Sequence, residues 1–140
     1  MFDYCESLRS IHIPKSVVSM RRWSLLRCIS LKSINIPEGV TSIEAGAFEN
    51  CESLTSIYIP EGVTFIGSFA FEECFSLISV HISEGVTSIG DSVFSKCKSL
   101  KSINIPEKVT SIGGSVFANC SSLKSIALSN RSTFLRKLLV

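Results

Sequence analysis

Six cysteines stand 23 residues apart, at Cys5, Cys28, Cys51, Cys74, Cys97 and Cys120, and no other feature of the chain restricts its fold so tightly. Self-similarity at a fixed period is the mark of a repeat architecture. With each Cys counted as position one, position four is always Leu: Leu8, Leu31, Leu54, Leu77, Leu100 and Leu123. Position seven is Ile or Val, position nine is Ile or Leu, and position thirteen is Val from Val17 to Val109. An aliphatic residue or Met follows at position sixteen, from Met20 to Leu135. Three residues before each Cys stands an aromatic or Leu: Phe2, Leu25, Phe48, Phe71, Phe94 and Phe117. One such unit is far shorter than the ~40 residues that normally fold without a staple. It can bury its apolar columns only by stacking on copies of itself, so the chain must form a solenoid.

Composition narrows the class further. With 45% hydrophobic and 19% charged residues, the chain is too apolar and too weakly charged to be disordered. No uninterrupted apolar run approaches the ~20 residues of a membrane-spanning helix, so membrane insertion is not expected. Met1-Phe2-Asp3-Tyr4-Cys5-Glu6 lacks the basic and apolar regions of an export signal.

Within each coil, Leu-x-x-Ile-x-Ile predicts a short strand. Pro14, Pro37, Pro60 and Pro106 end four of these strands, because proline cannot donate to a ladder. Glu-Gly pairs then predict a turn, and Val-Thr-Ser-Ile predicts a second, shorter extended segment. The Phe segment is expected to make one helical turn before the next Cys. These readings give an α/β solenoid of about six coils of 23 residues, strand-dominated, with a parallel sheet on one face. It is expected to occupy residues 1–132. Phe134, Leu135, Leu138 and Leu139 lie at helical spacing behind Ser132-Thr133, which predicts a C-terminal helical cap over residues 133–140.

The unit Leu-x-x-Ile-x-Ile-Pro-x-x-Val-x-x-Ile-x-x-x-x-Phe-x-x-Cys resembles the BspA-type leucine-rich repeats of bacterial and protist surface proteins, over residues 2 to about 129. The resemblance implies a right-handed leucine-rich-repeat superhelix with no catalytic activity, serving adhesion or protein binding at the cell surface. Met20-Arg21-Arg22-Trp23-Ser24-Leu25 departs from the pattern, keeping its apolar positions and losing its glycine.

Little in the chain points to catalysis. The cysteines share one inward column, which predicts buried unpaired thiols rather than disulfides, since parallel side chains on stacked coils aim poorly at each other. His12 and His81 share a column but stand three coils, ~14 Å, apart, too far to share a metal or a proton. The outward strand positions offer serines but neither Asp nor Glu, so a nucleophile would lack its base and orienting acid. No enzymatic activity, cofactor or metal is expected.

Three columns run beside the buried Ile residues on the sheet face, two of them alternating with Ile, and all are expected to point outward. One is Arg9, Lys32, Thr55, Ile78, Lys101 and Lys124; the next is Ser in every coil; the third is His12, Asn35, Tyr58, His81, Asn104 and Ala127. The residues leave two readings open. One is a concave ligand-binding face centred on Tyr58, Ile78 and His81; the other is a solvated ladder of residues that suit a strand. Arg21, Arg22 and Trp23 form a candidate contact outside the repeat pattern.

Charge is uneven, acidic over residues 28–96 and basic at both ends, which makes a poor track for nucleic acid. The resulting expectation is a non-catalytic module that binds a protein or glycan in adhesion or surface recognition. The alternative is a structural spacer or a fragment of a larger array. End-to-end self-association through the first coil is a further expectation, because an end coil exposes its core. The resemblance places the protein outside the cell or on its surface, whereas many unpaired cysteines suit a reducing compartment, and the sequence leaves that conflict open.

Overall fold

A computed structural model describes residues 5–129. The expected C-terminal cap over residues 133–140 lies outside them. Nine short strands follow in chain order: β1 (Ser19–Met20), β2 (Ser42–Ile43), β3 (Ser56–Ile59), β4 (Phe65–Ile66), β5 (Ser79–Ile82), β6 (Ser88–Ile89), β7 (Ser102–Ile105), β8 (Ser111–Ile112) and β9 (Ser125–Leu128). All pair in parallel with a register of 23 residues, as Ser42↔Phe65 and Tyr58↔His81 show. The repeat period is therefore the hydrogen-bonding register of the solenoid.

The α/β expectation is overturned: no helix occurs among the described residues, and the fold is a β-strand solenoid. The cause lies in the segment before each Cys. The N–H groups of Ser24, Leu26 and Cys28 close tight turns onto the carbonyls of Arg21, Trp23 and Leu25. The intervening N–H groups of Trp23, Leu25 and Arg27 leave the turn and bond Ala45, Ala47 and Glu49 of the next coil at 2.9–3.0 Å. A helix needs every N–H along one axis, whereas here every second one runs across to a neighbouring coil. That alternation forces two residues per coil to positive φ, such as Phe69 (61°) and Glu73 (60°) in the third coil. A non-glycine residue there costs ~1–2 kcal/mol. The inter-coil hydrogen bonds offset it.

The two extended segments also differ from expectation. The shorter one forms the continuous sheet, in the order β1-β2-β4-β6-β8 across five coils. The longer one forms strands only from the third coil onward, as two separate pairs, β3 with β5 and β7 with β9. Between β5 and β7 the coils still touch, but the bond from Lys101 N–H to Ile78 carbonyl lengthens to 3.5 Å, against 2.8 Å from Ile78 N–H to Thr55 carbonyl.

Inside, the predicted columns line up. Leu31, Val40, Ile43, Phe48 and Cys51 are fully buried, as are their counterparts Leu54, Val63, Ile66, Phe71 and Cys74 one coil later. The rings of Phe48, Phe71, Phe94 and Phe117 stack successively, with centroids 5.0, 5.6 and 5.9 Å apart. All six cysteines are free thiols, buried in the four central coils and half-buried at Cys5 and Cys120. Each thiol from Cys51 onward donates to a carbonyl of the preceding coil: Cys51 to Leu25, Cys74 to Phe48, Cys97 to Phe71 and Cys120 to Phe94, at 3.0–3.3 Å.

Candidate binding face

The longer extended segment presents every member of the three outward columns to solvent. Arg9, Lys32, Thr55, Ile78, Lys101 and Lys124 are exposed, as are all six serines beside them and His12, Asn35, Tyr58, His81, Asn104 and Ala127. Strand pleat produces this directly, because Ile57 and Ile59 point into the core on either side of Tyr58.

The structure draws the central residues together. In-register pairing of β3 with β5 sets Tyr58 beside His81, with ring centroids 4.9 Å apart and planes 1° from parallel. The stacked rings cover one face of each other, and both residues stay exposed. Ile78 stands on the same coil as His81 and is 47% exposed, close to the 46% of Tyr58. Asn104 follows on β7, beyond the break in the ladder. His12 and Asn35 sit on coils whose outward segments form no strand. The face is therefore a paired aromatic centre flanked by polar coils.

Arg21, Arg22 and Trp23 lie elsewhere on the coil, past β1. All three are exposed, and the Arg22 guanidinium lies 5.6 Å from the Trp23 ring centroid. The Trp23 ring occupies the space a side chain at Gly46 would need, since a Cβ there would stand 2.1 Å from the ring. Glu44 replaces a glycine of later coils and bonds the Ser19 hydroxyl at 2.9 Å and the Arg22 N–H at 3.1 Å, which holds its carboxyl below the usual range.

Sequence reasoning missed a second group of exposed apolar side chains near this region: Val18, Phe65 and Phe69. A signal was available. Phe65 interrupts a column that reads Ser19, Ser42, Ser88 and Ser111 in the neighbouring coils. A carboxylate cluster was also missed, where Glu73 accepts from Asn50 and Lys96, at 2.5 Å each, and these bonds lower its pKa. Burial, with Glu72 and Glu73 nearby, raises that of Glu49. Among the described residues no three metal-binding side chains converge on one point. The described residues hold no helix long and apolar enough to cross a membrane.

The profile of the BspA type leucine rich repeat region matches in six copies, over residues 1–74 and 24–138. The chain belongs to that family. Solved structures agree. A leucine-rich-repeat protein of T. pallidum superimposes with a TM-score of 0.84 at 29% identity, over 89% of this chain and 60% of that one. One from Bacteroides ovatus gives 0.65 at 30% identity, over 87% of this chain and 38% of that one. One from Eubacterium ventriosum gives 0.71 at 28% identity, over 86% and 32%. This BspA-type chain thus spans less than two thirds of the length of each. No curated protein matches it in sequence. Its fold, a leucine-rich-repeat solenoid, is a non-catalytic scaffold of the kind that serves as a ligand-binding surface module.

Proposed function

We propose that this BspA-type chain is a recognition module at the cell surface, presenting its outward strand columns to a protein or glycan in adhesion. One observation carries the reading: three complete columns of side chains are exposed together, with the stacked Tyr58 and His81 at their centre. A ladder kept only for strand propensity has no need of an exposed aromatic pair beside an exposed Ile78. Aromatic side chains favour interface centres because they contribute large contact area at small entropic cost. The expected end-to-end self-association would use a second feature, an open groove of about 720 Å³ along the first coil, lined by residues including Val17, Met20 and Leu25.

Tyr58→Ala combined with His81→Ala tests the face. The protein is passed over immobilised extracellular-matrix proteins and a printed glycan panel. Wild type should bind at least one surface, and the double variant should lose at least tenfold in affinity with an unchanged far-UV circular dichroism spectrum. Full binding by the double variant overturns the assignment of the face. Absence of any binder favours a structural spacer.

A further inference from the structure

The binding face carries cations and no carboxylates. Arg9 and Lys32 stand at one end of its first column and Lys101 and Lys124 at the other, all four exposed. Among the described residues none of the four forms an ion pair. The remaining members of the three columns are Ser, Thr, His, Asn, Tyr, Ile and Ala. Almost every exposed group here can donate a hydrogen bond, and the cations contribute the only fixed charge. Glu38, Glu61, Glu84 and Glu107 form a row six residues further along each coil, and Glu6 and Glu52 stand three residues before Arg9 and Thr55. Extended chain places that row up to ~20 Å from the cations, against a screening length of ~8 Å at physiological salt. That row therefore does not cancel the cations, and Glu6 and Glu52 offset them in part, in a chain that is +2 as a whole.

Resting on the reading that this face binds a ligand, we propose that its ligand is a polyanionic glycan, sulfated or uronate-bearing, lying along the solenoid axis. The two cation pairs would hold anionic groups ~14 Å or more apart, three coils being that far from Lys32 to Lys101. Between them, the exposed Tyr58 and His81 side chains and the serine hydroxyls would meet sugar hydroxyls, which both donate and accept. An acidic peptide fits less well. β5 and β7 lie against each other across the break between the two strand pairs, which leaves no room there for an added strand. The groove along the first coil lies off this face for all its lining but His12. A nucleic acid requires an unbroken cationic track, and here Thr55 and Ile78 interrupt it.

The test measures binding of dextran sulfate, polygalacturonate, neutral dextran, poly-glutamate and a DNA oligonucleotide to the whole chain. Dextran sulfate or polygalacturonate should bind, the stronger of the two identifying the anionic group, and binding should weaken steeply with added salt. Neutral dextran should not bind. The on-face pair K32E/K101E should lose at least tenfold. The off-face pair K15E/K108E, with the same change in net charge, should stay within twofold. Equal losses in both pairs overturn the proposal, because net charge and not the face would then be responsible. Poly-glutamate or DNA binding as tightly as the anionic glycans overturns the choice of ligand. Failure of both anionic glycans, with Tyr58- and His81-dependent capture of a protein intact, overturns this proposal and leaves the binding face standing. Loss of both removes the face as well.

Discussion

The cysteine shows at residue scale why one side chain recurs at every coil. Position one needs a small, largely apolar group to fill the interior, and it also faces a carbonyl of the preceding coil that already accepts one backbone N–H and has a second lone pair to offer. A thiol satisfies both demands, packing as a hydrophobe and donating weakly to Phe48, Phe71 or Phe94. Burial then pushes the Cys51 thiol up to about 12 and raises Cys74, Cys97 and Cys120 as well. Raised thiols are protonated in the folded chain. The stability they confer is complete below the unfolded thiol value and falls as pH rises above it. Each thiol that ionises only on unfolding should therefore lower stability by about 1.4 kcal/mol per pH unit above ~8.5. Urea midpoints at pH 8, 9 and 10 check the slope. At pH 8 a thiol reagent should label the central cysteines only after denaturation, and reductant should leave the melting temperature unmoved. Rapid labelling of the native chain would contradict the buried ladder. The inward column and the free thiols were legible from spacing. Their carbonyl partners were not, because no sequence pattern reports which backbone carbonyl of a neighbouring coil comes within reach of a side chain.

Elements in this fold are set by how closely neighbouring coils approach. The sheet β1-β2-β4-β6-β8 is drawn tight by backbone bonds and by threonine hydroxyls, with Thr41, Thr64 and Thr87 each donating to the coil before at 3.1–3.4 Å. Just beyond it the chain runs so near its neighbour that a Cβ on Gly90 would lie 2.6 Å from the Ser68 nitrogen. Gly90→Ala should therefore push the third and fourth coils apart, weakening the bond from the Gly90 N–H to the Ile66 carbonyl at 2.8 Å. A loss of about 1–3 kcal/mol in chemical denaturation is expected, the range for forcing a methylene into a packed interior. An unchanged midpoint would show that the coils can slide apart freely. The first two coils lack this glycine and carry Arg21 and Glu44 instead. The sequence showed that departure, but the bonds that accommodate it, Glu44 to Ser19 and Arg22, depend on side-chain positions in three dimensions.

At the scale of the whole molecule, stability accumulates coil by coil, because each coil touches only its neighbours. The same logic governs association. Residues 1–27 and 120–140 are both basic in sequence, so two copies meeting end to end would bring like charges together. Salt screens such repulsion. If the groove along the first coil mediates self-association, mass by light scattering should rise with protein concentration, and more steeply at 0.5 M than at 0.05 M salt. A constant monomer mass under both conditions overturns that contact.

Period and burial were decided by the sequence alone. The 23-residue spacing and its apolar columns required stacked coils, placed Phe48, Phe71 and Cys74 inside, and turned Tyr58 and His81 outward. The tertiary structure decided what the backbone does. It sent alternate N–H groups before each Cys into the next coil, abolishing the expected helical turn, and gave the continuous sheet to the shorter segment. It also closed the Tyr58 and His81 rings into a parallel pair. The physical reason is that side-chain periodicity records which positions avoid water, whereas N–H and C=O groups are alike at almost every residue. Their partners are chosen only when neighbouring coils come within bonding distance.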